Sequence, residues 1–350
     1  MLKRRKFIKN TLSTTAASFL PITLSNTISC STKKHTLLKG RQLKQGDTIG
    51  LVAPGYAVSL EALEQIKVTL RKIGFIPYHT ERIIGNYGYF SNTDAERAAD
   101  LNHMFANPNV DGILCARGGY GCTRIMQLID YEIIKNNPKV FIGFSDITTL
   151  LNGFYTETGL VSFHGPVGTT LDNEYGISML KQLVINPKES VVIHNSDLTE
   201  EQKENTEYNR YVITPGNAKG VLVGGSLTLI NALIGTPHEI DFTNKIVCIE
   251  DVEESPYRID RMLTQLIEGK TFKNAAGLAL GVFAGCETTN KTKTFTLKEV
   301  ITERLQGLNI PTVYGMSFGH IPENFTFPIG IKAKLNTASM TLTILEKAVL

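Results

Sequence analysis

The chain has 350 residues, a length that predicts two domains rather than one hydrophobic core. Its composition, 42% hydrophobic and 20% charged, is that of a soluble globular protein, and a net charge of +3 is too small to indicate a nucleic-acid partner. Beyond the N-terminal segment, no stretch reaches the roughly 18 unbroken apolar residues that a membrane-spanning helix requires.

Residues 1–35 have the pattern of a bacterial export signal. A basic run that contains Arg4 and Arg5 is followed by a mildly apolar stretch and then by Cys30. This order is typical of export signals, and twin arginines indicate the pathway that exports folded proteins. Cys30 follows a small residue as in a lipoprotein cleavage site, although Thr27 stands where leucine is usual. We therefore expect a periplasmic protein, anchored to the membrane if Cys30 is lipidated. A disordered basic tail is the alternative.

Residues 36–185 are predicted to form an N-terminal α/β domain. Apolar runs alternate with segments of helical periodicity. The expected strands cover residues 47–53, 75–78, 110–116 and 141–144, and the expected helices cover residues 60–73, 94–106, 123–129 and 147–158. This alternation predicts a mostly parallel sheet flanked by helices, of the flavodoxin or amidotransferase type. Ligands of such sheets bind beyond the C-terminal ends of the strands, so the loops there are expected to share one crevice.

A polar segment, residues 186–219, predicts a linker or surface excursion, and residues 220–350 predict a C-terminal α/β domain. The expected strands of that domain cover residues 220–226, 246–250, 277–283 and 311–315, with helices at residues 257–267 and 297–305. Residues 325–345 resemble strands around a turn and predict a terminal β-rich hairpin or barrel edge.

The strand-to-helix turn at residues 143–148, Gly-Phe-Ser-Asp-Ile-Thr, is the clearest sign of chemistry. A serine at such a turn has its hydroxyl pushed out of the sheet, and backbone N–H groups at the helix N-terminus can hold an oxyanion. Ser145 is therefore predicted to be a nucleophile, which needs a base because a serine hydroxyl is unreactive at neutral pH. The side chain of Asp146 is assigned to the helix N-terminus rather than to acid catalysis.

Two of the seven histidines, His164 and His320, end strands and are flanked by glycine. Their local contexts do not separate them as candidate bases, and a structural role is the alternative for each. Glu250 directly follows the apolar residues 246–249, where burial strengthens a hydrogen bond to an imidazole, and it is the expected orienting acid. A solvated acidic loop is the alternative interpretation of this region.

Residues 117–121, Arg-Gly-Gly-Tyr-Gly, follow a predicted strand but contain no phosphate-binding motif. They fit a nest of backbone N–H groups for an oxyanion or a carboxylate, with a simple tight turn as the alternative. Outside the N-terminal segment, the cysteines show no Cys-x-x-Cys spacing, so we predict no metal and no cofactor. A disulfide between Cys115 and Cys122 is considered but not favoured.

Seven segments in this order resemble the LD-carboxypeptidase family, the serine peptidase S66 group of muramoyltetrapeptide carboxypeptidases and microcin-immunity peptidases. The resemblance runs from about residue 43 to residue 345, and the order of the segments makes it specific. The segments are residues 46–54, 116–121, 143–148, 164–166, 224–227, 249–254 with 257–263, and 318–320.

The resemblance implies a triad in which Ser145 is the nucleophile, Glu250 is the charge-relay acid and His320 is the general base. It therefore favours His320 over His164. It also implies that the active site lies between the two domains and that the oxyanion is held by backbone N–H groups of Asp146 and of Gly118 or Gly119. The expected substrate-binding residues are Arg117, Tyr120 and Gly225. The sequence does not single out Arg117 from Arg124 or Arg258 as the ligand of the substrate carboxylate.

By resemblance, the chain is expected to remove the terminal D-Ala from murein tetrapeptides by acyl transfer, as a homodimer. A microcin-immunity-type peptidase that acts on aminoacyl-nucleotide antibiotics is one alternative. A non-enzymatic solute-binding lipoprotein is another, because two α/β domains with a crevice and a lipid anchor suit that role. Family members that recycle wall peptides inside the cell lack an export signal, so this chain departs from them at its N-terminus.

Overall fold

Apolar strands and amphipathic helices alternate through the computed structural model, which describes residues 36–288 and 293–350. The expected export signal and Cys30 lie outside the described residues. Both described ranges belong to one compact unit that contains two β-sheets flanked by helices, which confirms the predicted α/β class. Within these ranges no helix is long and apolar enough to span a bilayer.

The strands and helices of the described ranges are numbered in chain order. The strands are β1 (Thr48–Val52), β2 (Ile76–Tyr78), β3 (Gly112–Cys115), β4 (Val140–Gly143), β5 (Ser162–His164), β6 (Val191–Ile193), β7 (Tyr211–Thr214), β8 (Asn217–Ser226), β9 (Lys245–Val252), β10 (Gly277–Ala284), β11 (Thr312–Gly319), β12 (Phe327–Ile329), β13 (Lys332–Asn336) and β14 (Thr341–Ile344). The α-helices are α1 (Leu60–Lys72), α2 (Asp94–Ala106), α3 (Cys122–Ile125), α4 (Tyr131–Asn136), α5 (Thr148–Thr158), α6 (Glu174–Val184), α7 (Glu200–Glu204), α8 (Leu227–Leu233), α9 (Pro256–Glu268) and α10 (Leu297–Gln306).

The first sheet has the strand order β12-β5-β4-β3-β1-β2. Strands β1 to β5 are parallel, and β12 joins antiparallel to β5 from the far end of the chain. Every residue of β3 and β4 is buried, which is why these strands have continuous apolar runs rather than alternation. Because β3 and β4 are parallel, their C-terminal ends lie at the same edge of the sheet.

The second sheet has the order β6-β14-β13-β8-β9-β10-β11-β7. Its centre, β8 to β11, is parallel, and the expected terminal hairpin forms from β13 and β14. Residues 186–219, expected as a linker, instead carry β6 and β7, the two edge strands of this sheet. Both strands are short, three and four residues, and the chain between them is rich in charged and turn-forming residues, so the segment as a whole resembles a loop. The proposed boundary between residues 36–185 and 220–350 stays a prediction.

Helix α5 joins the two sheets. The side-chain amide of Asn152 donates to the Gly224 carbonyl at 2.8 Å, and the Gly224 N–H donates back to the Asn152 Oδ1 atom at 3.1 Å. The Ser226 N–H donates to the Thr148 hydroxyl at 3.0 Å. These buried polar contacts hold the start of α5, which follows Ser145, against the end of β8 in the second sheet.

Candidate active site

The turn between β4 and α5 holds Ser145 in an uncommon backbone conformation. A 3-10 turn, Ser145–Ile147, precedes the helix, and Ser145 has a φ of 62°. Such a left-handed conformation is rare for a residue other than glycine, and it concentrates at functional sites. At Gly143, a Cβ atom would lie 2.7 Å from the Ile147 side chain, so the sharp turn requires glycine there. The result is a partly exposed serine between two buried neighbours, Phe144 and Asp146.

Two strand ends of the second sheet approach this serine. Glu250 lies on β9 and is fully buried, and His320 directly follows β11. The Nδ1 atom of His320 lies 2.8 Å from the Oε2 atom of Glu250, and its Nε2 atom lies 2.9 Å from the Ser145 Oγ atom. Because a carboxylate only accepts, Nδ1–H donates to Glu250, which leaves Nε2 to accept from the serine hydroxyl. The structure thus brings together the three predicted residues, and their catalytic roles stay predictions.

A glycine allows the acid and the base to meet across β10, which lies between β9 and β11. Gly319 has a φ of 119°, and a Cβ atom there would lie 2.9 Å from the Val282 carbonyl oxygen and 3.1 Å from the Glu250 carboxylate. The pairing register of β10 also shifts between Leu280 and Val282. A side chain at position 319 would therefore displace the group that His320 must contact.

The electrostatic environment of His320 stabilises its protonated form. Burial acts to lower the pKa of the imidazole, but the negative charge of Glu250 and the hydrogen bond to it, with Asp251 and Glu253 nearby, raise that pKa above its ordinary value. Burial, with the adjacent Glu250 charge, also raises the pKa of Asp251 to about 6. An imidazole in this setting can accept a proton from serine and carry the resulting charge.

The glycine-rich turn after β3 lies directly against the serine. A Cβ atom at Gly118 would lie 2.9 Å from the Ser145 Cβ atom, and a Cβ atom at Gly119 would overlap the Tyr56 ring. The Asp146 carboxylate crosses between the two turns and accepts the Cys122 N–H at 2.9 Å. It therefore caps α3 rather than its own helix. These contacts place the backbone expected to form an oxyanion hole beside the hydroxyl.

The expected substrate-binding residues lie in different environments. Arg117 is exposed, with its guanidinium 5.6 Å above the Tyr56 ring, and it forms no ion pair with the described residues. Tyr120 is 44% exposed within an aromatic cluster that also contains Tyr89 and Phe90. Gly225 is buried, and a Cβ atom there would lie 2.3 Å from the Thr148 hydroxyl, so it contributes to packing between the sheets.

The other two arginines considered as carboxylate ligands are already paired. Arg124 lies 2.9 Å from Asp94, and Arg258 lies 3.3 Å from Glu254. Of the three arginines, Arg117 is therefore the one whose charge is free to meet a carboxylate from solution.

The described residues contain no cluster of His, Cys, Asp or Glu that could hold a metal ion. The cysteines considered for a disulfide are both buried and free, and burial raises the pKa of each thiol, which makes them unreactive. Sequence reasoning missed Asn324, whose Oδ1 atom accepts the Gly319 N–H at 3.2 Å and so helps to hold the turn before His320. Nothing in the local sequence distinguishes this asparagine from a turn former.

Two family models match successive parts of the chain. Residues 49–165 match the family description "LD-carboxypeptidase N-terminal domain", and residues 219–335 match "LD-carboxypeptidase C-terminal domain". A Bacillus subtilis protein named "Probable murein peptide carboxypeptidase" is 36% identical over 87% of this chain and 94% of its own length. The Pseudomonas aeruginosa "Murein tetrapeptide carboxypeptidase" is 30% identical over 82% of this chain and 92% of its own length.

A solved structure, that of an MccF-like protein from Bacillus anthracis, superposes with a TM-score of 0.78. It is 28% identical and covers 88% of this chain and 99% of its own.

Proposed function

The chain belongs to the LD-carboxypeptidase family, and on that premise we propose that it is a serine carboxypeptidase that removes the terminal D-Ala from murein tetrapeptides. The observation that carries the proposal is the hydrogen-bonded series from Ser145 through His320 to Glu250, at 2.9 and 2.8 Å. These distances are within the range that proton transfer between a nucleophile and its base requires.

In the proposed first step, the Nε2 atom of His320 takes the hydroxyl proton while the Ser145 Oγ atom bonds to the carbonyl carbon of the scissile peptide. The negative charge moves to the carbonyl oxygen, which the N–H groups of Asp146 and of Gly118 or Gly119 would stabilise. Glu250 stabilises the imidazolium that forms.

When the intermediate collapses, the carbon–nitrogen bond breaks and His320 donates its proton to the amine of the departing D-Ala. The shortened peptide remains as an ester on Ser145. A water molecule, deprotonated by His320, then attacks the ester and regenerates the hydroxyl. The reaction is a hydrolysis, so it consumes one water and yields a peptide carboxylate and free D-Ala.

A carboxypeptidase also has to recognise the free terminal carboxylate of its substrate. We assign this role to Arg117, because its guanidinium is exposed beside the Gly118 turn and unpaired among the described residues. A planar guanidinium can bind a carboxylate with two parallel hydrogen bonds.

The test is incubation of the full chain with defined murein tetrapeptides that carry lysine or diaminopimelate at the third position, followed by mass analysis for loss of D-Ala. We expect release of D-Ala by the wild-type chain and none by Ser145→Ala. Labelling by a fluorophosphonate, mapped to its peptide, should occur at Ser145 in the wild-type chain alone. Turnover by Ser145→Ala, or no release from any tetrapeptide, would contradict the proposal.

A microcin-immunity-type activity is the second candidate, supported by the likeness to the MccF-like structure. The same assay therefore includes an aminoacyl sulfamoyl nucleoside. Cleavage of that compound with the tetrapeptides left intact would favour the second candidate, whereas no labelling and no turnover of either compound would favour a solute-binding protein.

We also propose that the chain is exported, on the basis of the basic run at Arg4 and Arg5 and the position of Cys30. Fractionation of a bacterial host should place it in the periplasmic or membrane fraction, and Arg4→Lys with Arg5→Lys should retain it in the cytoplasm. Cys30→Ser should release it from membranes if Cys30 carries a lipid. An unchanged distribution in both variants would reject export through this segment.

A further inference from the structure

His164, the histidine that the triad does not use, lies directly behind the site. It ends β5 and is fully buried among aromatic rings. Its ring stacks on that of Phe327 at a centroid distance of 4.5 Å, and the rings of Phe144 and Phe318 contact it edge-on. A phenylalanine would suit these apolar contacts, so packing alone does not explain an imidazole at this position.

The polar edge of His164 faces the acid of the triad. Its Nε2 atom lies 4.0 Å from the Oε1 atom of Glu250, and neither atom has a hydrogen-bond partner among the described residues. The other oxygen of the same carboxylate, Oε2, accepts from His320. The Glu250 carboxylate thus lies between two imidazoles, one at the reaction centre and one in the core.

The pKa values of the two imidazoles are shifted in opposite directions, because the effect of Glu250 prevails at His320 and the effect of burial prevails at His164. Burial, opposed by Glu250 and reinforced by the charge of His320, lowers the pKa of His164 to about 4, so the ring is neutral at pH 7. A neutral imidazole carries one N–H donor. It can therefore orient the Glu250 carboxylate and leave the carboxylate's negative charge available to stabilise the His320 cation. A protonated His164 would instead offset that negative charge.

We propose that His164 is a positioning residue whose Nε2–H holds the Oε1 oxygen of Glu250, so that Oε2 stays directed at His320. The proton is assigned to Nε2 because the facing carboxylate oxygen can only accept. The 4.0 Å separation is longer than a hydrogen bond, and contacts of this kind commonly tighten in the substrate complex. The inference rests on the proposed function, because it takes Ser145 as the nucleophile.

The test measures the second-order rate of Ser145 labelling by a fluorophosphonate against pH in the full-length chain. His164→Phe keeps the aromatic packing but removes the donor. We expect its rate to fall about tenfold or more, by analogy with the loss seen when a group that orients a metal ligand is removed. The labelling rate should decline at a lower pH on the acidic side of the pH–rate profile than it does in the wild type. The reason is that a poorly oriented Glu250 raises the pKa of His320 less. A purely structural substitution would leave the pH of that decline unchanged.

A matched pair of variants separates donor position from stability. In His164→Gln, the amide nitrogen can occupy the place of Nε2, whereas in His164→Asn it reaches only the place of Nδ1. We expect the Gln variant to recover at least a third of the wild-type rate and the Asn variant to stay as slow as the Phe variant. If His164→Phe does not fold, the comparison of the Gln and Asn variants still tests whether a donor at the Nε2 position is required.

A His164→Phe rate within twofold of wild type with an unchanged pH–rate profile, or equal rates for the Gln and Asn variants, would overturn the inference. If the wild-type chain is labelled but leaves tetrapeptides intact, the proposed substrate fails while the labelling series still tests His164. If the wild-type chain is not labelled at all, the proposed nucleophile and this inference fail together.

Discussion

The two sheets contribute to the site in different ways. The first sheet supplies Ser145 from one short strand-to-helix turn, whose geometry depends on neighbouring residues such as Gly143. The second sheet supplies Glu250 and His320 from strands 70 positions apart in sequence, across an intervening strand. The predicted nucleophile is thus positioned by local backbone strain, whereas the predicted acid and base depend on strand register and on the space left by Gly319.

The sharpest test of this comparison removes the side chains of the second sheet. By analogy with other serine triads, we expect His320→Ala to lower kcat by about 10⁵-fold or more and Glu250→Ala by about 10⁴-fold. Loss of Glu250 is expected to cost less because its proposed role is to orient and stabilise the base. Tetrapeptide hydrolysis measures both rates, with thermal unfolding as the control for folding. If Glu250→Ala keeps a rate within tenfold of wild type, the carboxylate is not part of the mechanism.

A second test changes only the space between the acid and the base. Gly319→Ala would put a methyl group against Glu250 and the Val282 carbonyl, and we expect kcat to fall by about 100-fold as these groups shift. Gly46→Ala is the matched control, because Gly46 also has a positive φ of 86° but nothing within 4 Å of its Cβ position. Backbone strain should cost each variant about 1 kcal/mol of unfolding free energy, and Gly319→Ala should lose more because its methyl group also meets Val282 and Glu250. Equal activities would show that the approach of the strands does not limit the rate.

A third test examines recognition from the side of the first sheet. Arg117→Ala is expected to raise KM for a tetrapeptide by about tenfold while the rate of fluorophosphonate labelling stays unchanged, because only the peptide carries a carboxylate. Arg258→Ala removes an arginine already paired with Glu254 and serves as the control. A larger effect of Arg258→Ala on KM would transfer the proposed role to that residue.

The smallest expected effect is on stability, and it separates the contributions of two of the buried ionisable groups near the site, His164 and Asp251. Because the pKa of His164 is lowered to about 4, the unfolded chain binds its proton more tightly, so unfolding free energy should rise with pH between about 4 and 6.5. Asp251, with its pKa raised to about 6, acts in the opposite sense between about pH 4 and 6.

Chemical denaturation across this pH range resolves the two contributions only when the wild-type chain is compared with variants. Relative to wild type, His164→Phe should lack the increase in unfolding free energy between about pH 4 and 6.5, which is on the order of 3 kcal/mol. Asp251→Asn should lack the decrease in unfolding free energy between about pH 4 and 6. Parallel curves for the wild type and His164→Phe would show that His164 does not titrate on unfolding.

Much of the fold followed from patterns within single segments. The helix expected at residues 94–106 is observed as Asp94–Ala106, because its apolar spacing and the capping box from Thr93 to Glu96 are local. The expected linker was the main difference, since β6 and β7 belong to the second sheet only by virtue of partners far along the chain. Their own residues do not encode that pairing.

The sequence by itself determined the strained turn that presents Ser145, because backbone conformation there depends on adjacent residues. The local contexts of His164 and His320 did not separate them, since each ends a strand beside a glycine, and only the family resemblance favoured His320. Only the tertiary structure decided that His320 lies 2.9 Å from the Ser145 hydroxyl while His164 is buried behind Glu250. The physical reason is that burial and strand register, which set distance and charge, arise from contacts between residues far apart in the chain.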